Sequence, residues 1–381
     1  MKHSKRLTYG FAAAAAVGAL VLSGCSASEP ETDDGAGSSE LTPVKLQLQW
    51  LTQAQFAGYY AAAAEGYYED EGLDVEIIQG GGDIVPQDAL ANGDVDYAIS
   101  WVPKVLGSIE NGANITDVAQ IFERSATLQV SFKDQDITSA ADLAGKTIGS
   151  WGYGNEWELY AGLNKAGVTD EVTVVSQSFD MNALLSGDID AAQAMTYNEY
   201  AQLLETVDPE TGELYTADDF NVIDWNEEGT SMLQDAIWAD TARLDDADYA
   251  ETTVKFIKAS IKGWAFARDN AQDAADQVTA AGSTLGLSHQ LWMTNEVNKL
   301  IWPSTSGGIG TIDTAAWDAT VAMALETSNE TGATIITEEP PATAYSNEYV
   351  EKALAELRDE GVDVEGADFE PLTVELKEGG E

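Results

Sequence analysis

The sequence predicts an α/β protein built as two lobes, and three observations carry that expectation. From Val44 onward, short strand-like runs alternate with Ala-rich or amphipathic stretches of helix length. That order builds a parallel or mixed sheet with helices on both faces. Second, one segment occurs twice. Residues 89–98 read ALANGDVDYA and residues 183–192 read ALLSGDIDAA, with starts 94 residues apart (183 − 89). Each is a helix end, a glycine stop, an Asp-aliphatic-Asp turn and a strand. The separation is too long for a solenoid repeat and suits two similar lobes. Third, 381 residues that are 44% hydrophobic supply core for about two domains of ~100–200 residues each.

The elements follow in order. Val44 to Trp50 alternates apolar and polar residues, the two-residue period of a strand. Gln55 to Glu65 is rich in Ala and aromatics and is closed by Gly66, a helix with a glycine stop. Leu73 to Ile78 reads as a strand, Gly80 to Gly82 as a turn, Ile84 to Asn92 as a helix and Tyr97 to Trp101 as a strand. Further strands are expected near Leu128–Phe132, Thr147–Ser150, Val172–Val175, Ala191–Met195, Phe220–Ile223 and Asp235–Trp238, and beyond Ala242 the chain is mostly helical. Ligands of open α/β sheets bind outside the carboxyl ends of the strands. The two copies of the repeated segment deliver Trp101 and Tyr197 to those ends.

The first forty residues have a different character. Lys2, Lys5 and Arg6 precede an apolar and small-residue run from Phe11 to Leu22. Twelve residues make a helix of about 18 Å, too short for a ~30 Å hydrocarbon core, so the run reads as an export signal. Leu22-Ser23-Gly24-Cys25 then resembles a bacterial lipobox and contains the chain's one cysteine. The resemblance implies cleavage before Cys25 and lipidation of its thiol. Ser26 to Glu40 is small, polar and acidic, the composition of a tether. The expected organisation is a signal peptide (1–24), a tether (25–40), a first lobe (41–130 with 233–381) and a second lobe (131–232). The expected location is the outer face of a cytoplasmic membrane.

Composition excludes several functions. The formal charge is −48, from 18 basic and 66 acidic residues. Loss of residues 1–24 leaves 15 basic against 66 acidic, or −51. Nucleic-acid binding needs Lys and Arg to displace counterions from phosphates, so no nucleic-acid partner is expected. One Cys and two His cannot build a disulfide or a soft-ligand metal cluster, and neither metal nor cofactor is expected.

A resemblance emerges from particular residues. Trp50-Leu51-Thr52-Gln53-Ala54-Gln55-Phe56-Ala57-Gly58-Tyr59-Tyr60, then Glu65-Gly66-Tyr67-Tyr68 and Glu71-Gly72-Leu73-Asp74-Val75, resemble the opening of ABC-importer binding proteins. The branch is the one that takes thiamine-pyrimidine precursors, riboflavin, nitrate or sulfonates. Asp142-Leu143-Ala144-Gly145-Lys146-Thr147-Ile148-Gly149 and the repeated segment extend the likeness over Val44 to about Ala267. It implies a two-lobed periplasmic-binding-protein type II fold, hinged near Ser131 and Met232. It also implies a monomer that clamps a small heteroaromatic ligand and docks on an ABC permease. A thiamine pyrimidine precursor of the hydroxymethylpyrimidine type is the first expectation for the ligand. Riboflavin and a nitrate or sulfonate are the alternatives. Pyrimidine binders of this family resemble W-x-P-N-x-x-H-x-G at the first loop. This chain keeps Trp50 and Gly58 but carries Thr52, Gln53 and Phe56 at the other three positions.

Candidate ligand contacts are Trp50, Gln53, Gln55 and Tyr59 in the first loop, and Trp101 at a strand end. Amides such as Gln53 and Gln55 donate and accept, which suits the edge of a heteroaromatic ring. The loop Ser150–Trp157 supplies Trp151, Tyr153, Asn155 and Glu156. It is bulkier than an oxyanion cradle, and Glu156 in a first helical turn would repel an anion. Asp180, Tyr197, Asn198 and Glu199 complete the set, with Asp180 equally readable as an N-cap. Gln234–Trp238 and Ile301–Pro303 are weaker candidates.

Enzyme readings fare worse. A pyrimidine synthase of related fold depends on cysteines that this chain lacks. A Ser-His-Asp triad would need His289 as base, and no G-x-S-x-G elbow is present. A secreted hydrolase is the non-transport alternative. No catalytic residues are assigned.

Overall fold

A computed structural model describes residues 41–381. The expected leader, the tether and Cys25 lie outside the described residues. Ten strands are present: β1 (Thr42–Gln47), β2 (Leu73–Ile78), β3 (Tyr97–Trp101), β4 (Ile115–Gln120), β5 (Thr127–Phe132), β6 (Thr147–Ser150), β7 (Thr173–Ser176), β8 (Ala192–Met195), β9 (Phe220–Asp224) and β10 (Asp235–Asp240). The helices are α1 (Ala57–Ala64), α2 (Tyr67–Asp70), α3 (Pro86–Ala91), α4 (Val102–Glu110), α5 (Trp157–Ala166), α6 (Asn182–Leu185), α7 (Glu199–Leu204), α8 (Trp225–Glu228), α9 (Ala247–Asp269), α10 (Ala271–Ala280), α11 (Leu287–Ile301), α12 (Thr314–Glu326) and α13 (Glu348–Asp359).

The first sheet has the order β2-β1-β3-β10-β4. Strand β1 runs parallel to β2 and β3, and β10 is antiparallel to both β3 and β4. The second sheet repeats this plan. Strands β8-β5-β9 are antiparallel neighbours, β6-β7 is a parallel pair, and an Ile148–Ala191 bridge joins β6 to β8 in parallel. Read across, β7-β6-β8-β5-β9 matches β2-β1-β3-β10-β4 strand for strand.

The repeated segments occupy equivalent places. Gly93 and Gly187 adopt left-handed φ values of 77° and 76° behind α3 and α6, a conformation that glycine takes without a Cβ penalty. Three residues further on, Asp96 and Asp190 each accept a backbone N–H of a neighbouring strand with a carboxylate oxygen. Lys45 N donates to Asp96 Oδ2 at 2.8 Å and Thr147 N to Asp190 Oδ2 at 2.7 Å. The two carboxylates thus set the register of β1 and β6.

Strand alternation distributes the core. Tyr97, Ile99 and Trp101 of β3 face the layer of α1, α9, α10, α11 and α13. Ala98 faces the opposite layer, with α4 and α12, as the two-residue period of a strand requires. The tightest helix contact joins α1 to α9. A Cβ at Gly263 would stand 2.0 Å from Gly58 O, so only glycine permits that approach.

The chain leaves the first sheet between β4 and β5, at residues 121–126, and returns between α8 and β10. Ser131 lies inside β5, and Met232 lies in the segment between α8 and β10. Glu158 of α5 braces both passages: Met232 N donates to its Oε1 at 2.6 Å and Ser125 Oγ to its Oε2 at 2.8 Å. Strand β4 went unpredicted. Its ITDVAQ sequence is buried throughout, yet Asp117 and Gln120 interrupt the apolar run that marks a buried strand. The first strand also stops at Gln47, three residues short of Trp50, because the chain turns into the site there.

Gly263→Ala is expected to destabilise the protein by about 1–3 kcal/mol through overpacking of α1 against α9. Urea unfolding curves measure it, and a ΔΔG near zero would mean the two helices separate freely.

Candidate functional site

The carboxyl ends of β1, β2, β3, β6, β7 and β8 converge on a cavity of about 720 Å³. Its walls are aromatic. Trp50 and Trp101 follow or end strands of the first sheet, and Trp151 and Phe179 follow strands of the second. Trp50 meets Phe179 at 4.6 Å between centroids, and Trp151 lies 5.9 Å from the same ring at 28°. Phe179 thus bridges indoles from both sheets at the mouth of the cavity.

A buried carboxylate organises the first-sheet wall. Asp235 opens β10 opposite Trp101. Its Oδ1 accepts from Gln49 Nε2 at 2.5 Å and from Trp101 Nε1 at 2.7 Å, and its Oδ2 accepts from Gln55 Nε2 at 3.0 Å. Gln53 Nε2 in turn donates to Gln55 Oε1 at 2.9 Å. Removal from water pushes the Asp235 carboxyl up to about 7, against the pull of those donors and of nearby Lys104.

The second-sheet wall has its own polar chain. Glu199 accepts from Met195 N at 3.0 Å and from Asn198 Nδ2 at 2.8 Å. Asn198 Oδ1 lies 3.1 Å from Nε2 of His289 on α11, whose Nδ1 lies 2.9 Å from Glu205 Oε1. Burial holds the Glu199 carboxyl at about 7. His289 does not line the cavity. It braces Asn198 from a helix of the other sheet's layer and stands as part of no triad.

Of the residues expected from sequence, Trp50, Gln53, Gln55, Trp101, Trp151, Tyr153, Asn155, Tyr197, Asn198 and Glu199 line this cavity. Three do not. Tyr59 is buried edge-on against Trp264, because α1 turns that face into the helix layer. Glu156 turns back to accept from Gly154 N at 2.8 Å, closing its own loop. Asp180 accepts from Asn182 N at 2.9 Å in the turn before α6, whose N-cap position is taken by Met181. Asn155 spends its amide on Gly152 O, at 2.7 Å, and Gln193 Nε2 holds its carbonyl. Tyr153 is 92% exposed at the lip, with a left-handed φ of 55° between Gly152 and Gly154.

Sequence reading missed Lys104, Phe179 as a wall, the segment 81–87, and Thr334 and Ile335 from far along the chain. Lys104 carried one signal. It sits in the first turn of α4, where the helix dipole disfavours a cation. Among the described residues no group of His, Cys, Asp and Glu is arranged to hold a metal ion. No described helix is long and apolar enough to cross a membrane.

Comparison with known proteins decides the family. Residues 53–274, more than half of the chain, match the model described as NMT1/THI5 like. The chain belongs to the NMT1/THI5-like family. It is 28% identical over 271 residues to a riboflavin-binding protein of Chloroflexus aurantiacus, covering 68% of this chain and 74% of that one. It is 25% identical over 258 residues to a formylaminopyrimidine-binding protein of Halalkalibacterium halodurans, covering 67% and 74%. A 4-amino-5-hydroxymethyl-2-methylpyrimidine phosphate synthase of Aspergillus parasiticus is similar over only 42% of this chain, at 24% identity. Among solved structures, an alkanesulfonate-binding protein of Xanthomonas axonopodis pv. citri superposes with a TM-score of 0.58 at 14% identity, over 81% of this chain and 99% of that one. The NMT1/THI5-like chain therefore has the periplasmic-binding-protein fold.

Asp235, Glu199 and Glu158 are all raised to about 7 by burial. Each binds its proton more tightly folded than unfolded, so stability is lost as pH rises from the ordinary carboxylate range through 7. The melting temperature is expected to be highest near pH 5 and to fall toward pH 8, with a total loss on the order of a few kcal/mol. Differential scanning fluorimetry across that range checks it, and a melting temperature that rises with pH would contradict the assignment.

Proposed function

We propose that this protein is the substrate-binding component of an ABC importer and closes its two sheet-centred lobes on a planar heteroaromatic ligand. The observation that carries the reading is the cavity wall: aromatic rings from both sheets face one cavity, with amides and carboxylates at the edges. Base–aromatic stacking contributes ~1–3 kcal/mol per ring, so two stacks with several hydrogen bonds support micromolar binding or better. The relatives named as riboflavin- and formylaminopyrimidine-binding support the same ligand chemistry.

The cavity's size bears on which ligand it is. About 720 Å³ falls in the ~300–1,000 Å³ range of pockets that enclose drug-sized ligands, which favours a fused-ring ligand of the flavin type. A thiamine pyrimidine precursor is the second reading, favoured by the amides of Gln53 and Gln55. A sulfonate or nitrate fits less well, because Trp151 and Tyr153 stand where an oxyanion cradle needs small residues.

In this reading the passages at 121–126 and 229–234 are the hinge, and closure presents the ligand-loaded form to a membrane permease. Lipidation of Cys25 would leash a monomeric binding protein to the outer face of the cytoplasmic membrane. The role is binding, not turnover.

Intrinsic tryptophan fluorescence, titrated with riboflavin, hydroxymethylpyrimidine, formylaminopyrimidine and an alkanesulfonate, tests the function. Quenching and a raised melting temperature are expected with riboflavin, to a lesser degree with the pyrimidines, and not with the sulfonate. A response to the sulfonate alone would overturn the reading.

A further inference from the structure

Among the described residues Lys104 is the one basic residue that lines the cavity. Its ammonium stands 4.6 Å from the centroid of the Trp101 ring. Trp101 gives its indole N–H to Asp235, which leaves the ring more electron-rich and a better seat for a cation. The side chain is held in that place. Gly154, at a left-handed φ of 85°, packs so closely on it that a Cβ there would meet Lys104 Cγ at 3.2 Å.

The ammonium nonetheless forms no ion pair and no hydrogen bond among the described residues. Asp235, whose charge acts on Lys104, is already engaged by Gln49, Gln55 and Trp101. Glu156 turns to Gly154 N instead. The fold thus presents a half-buried, aimed cation in the first turn of a helix, whose dipole opposes it. Desolvation lowers the ammonium to about 8, with Asp235 and Glu156 resisting. No protein group among the described residues accepts from its three N–H donors, so they remain open to the occupant of the cavity.

We propose that Lys104 is the ligand-reading cation of this cavity, and that the ligand turns a carbonyl edge toward it, as a ring bearing a pyrimidine-2,4-dione does. The inference rests on the heteroaromatic reading above and narrows it. A dione edge offers acceptor, donor, acceptor in a row. Lys104 meets a carbonyl of that edge. An aminopyrimidine without ring carbonyls gives Lys104 much less to hold. A dianionic phosphate is disfavoured, because Lys104 stands alone against Asp235, Glu156, Glu199 and Asp83 around it.

The test is the affinity of the full chain, its Lys104→Met variant and its Lys104→Arg variant for riboflavin, which carries the dione, and for hydroxymethylpyrimidine, which does not. Lys104→Met is expected to weaken riboflavin binding about tenfold or more, the size of a hydrogen bond to a charged group. Lys104→Arg should restore most of it. Hydroxymethylpyrimidine binding should move less than about threefold in either variant. Riboflavin affinity of the unmodified protein should fall as pH rises from 7 to 9.5, and the Lys104→Met profile should be flat over the same range. Asp235 and Glu199, held at about 7, are the carboxyls near Lys104 that titrate at the lower end of this window, and both remain in the variant together with Glu156 and Asp83. Riboflavin bound equally well by the unmodified and Lys104→Met proteins overturns the role of Lys104 and leaves the heteroaromatic site standing. Binding of hydroxymethylpyrimidine without riboflavin overturns the dione. Binding of neither overturns this inference together with the heteroaromatic reading.

Discussion

One buried carboxylate holds the recognition surface together. Asp235 gathers Gln49 from behind β1, Gln55 from the turn before α1 and Trp101 from the end of β3. These segments are far apart in sequence, and each presents an apolar or amide surface to the cavity. Without a shared acceptor, their N–H groups would be buried and unpaired, at a cost of about 1–3 kcal/mol each. The carboxylate's own desolvation is the opposing term. Three donors and one nearby ammonium offset it in part, so the group sits near neutrality instead of far above it.

That dependence explains what the sequence made legible. The repeated helix–glycine–Asp–strand segment could be read because its chemistry is local: a left-handed glycine and an Asp that reaches the next strand. The aromatics at strand ends could be read because the carboxyl ends of α/β strands have one geometric fate. Lys104 and Phe179 could not. Their roles depend on which faces of α4 and of the segment after β7 turn inward, and that is settled only when the two sheets come together. Tyr59, Glu156 and Asp180 misled for the complementary reason. Each satisfies a local demand, a helix face, a loop closure and a turn hydrogen bond, that competes with ligand contact at the same position.

The molecule's charge is distributed to different ends inside and out. Sixty-six acids give the chain a surface field that is strongly negative. Asp235, Glu199 and Glu158 are a separate population, each buried, tied to named donors and held at about 7. The cavity adds a lone basic group to this negative background. In the proposed reading this setting suits an uncharged, dipolar ligand better than an anion, which would approach through the field, or a cation, which would meet Lys104.

The strand-for-strand match of the two sheets has a consequence for orientation. A flat molecule between two equivalent halves meets nearly the same wall above and below, and could enter either way up. What breaks the equivalence is the residue at the start of the antiparallel middle strand: Asp235 opens β10, while Thr127 opens β5. Only one half carries the carboxylate, its indole and the ammonium on that indole. A molecule with distinct edges therefore has one way in, and it would be delivered to the next carrier with the same edge leading each time.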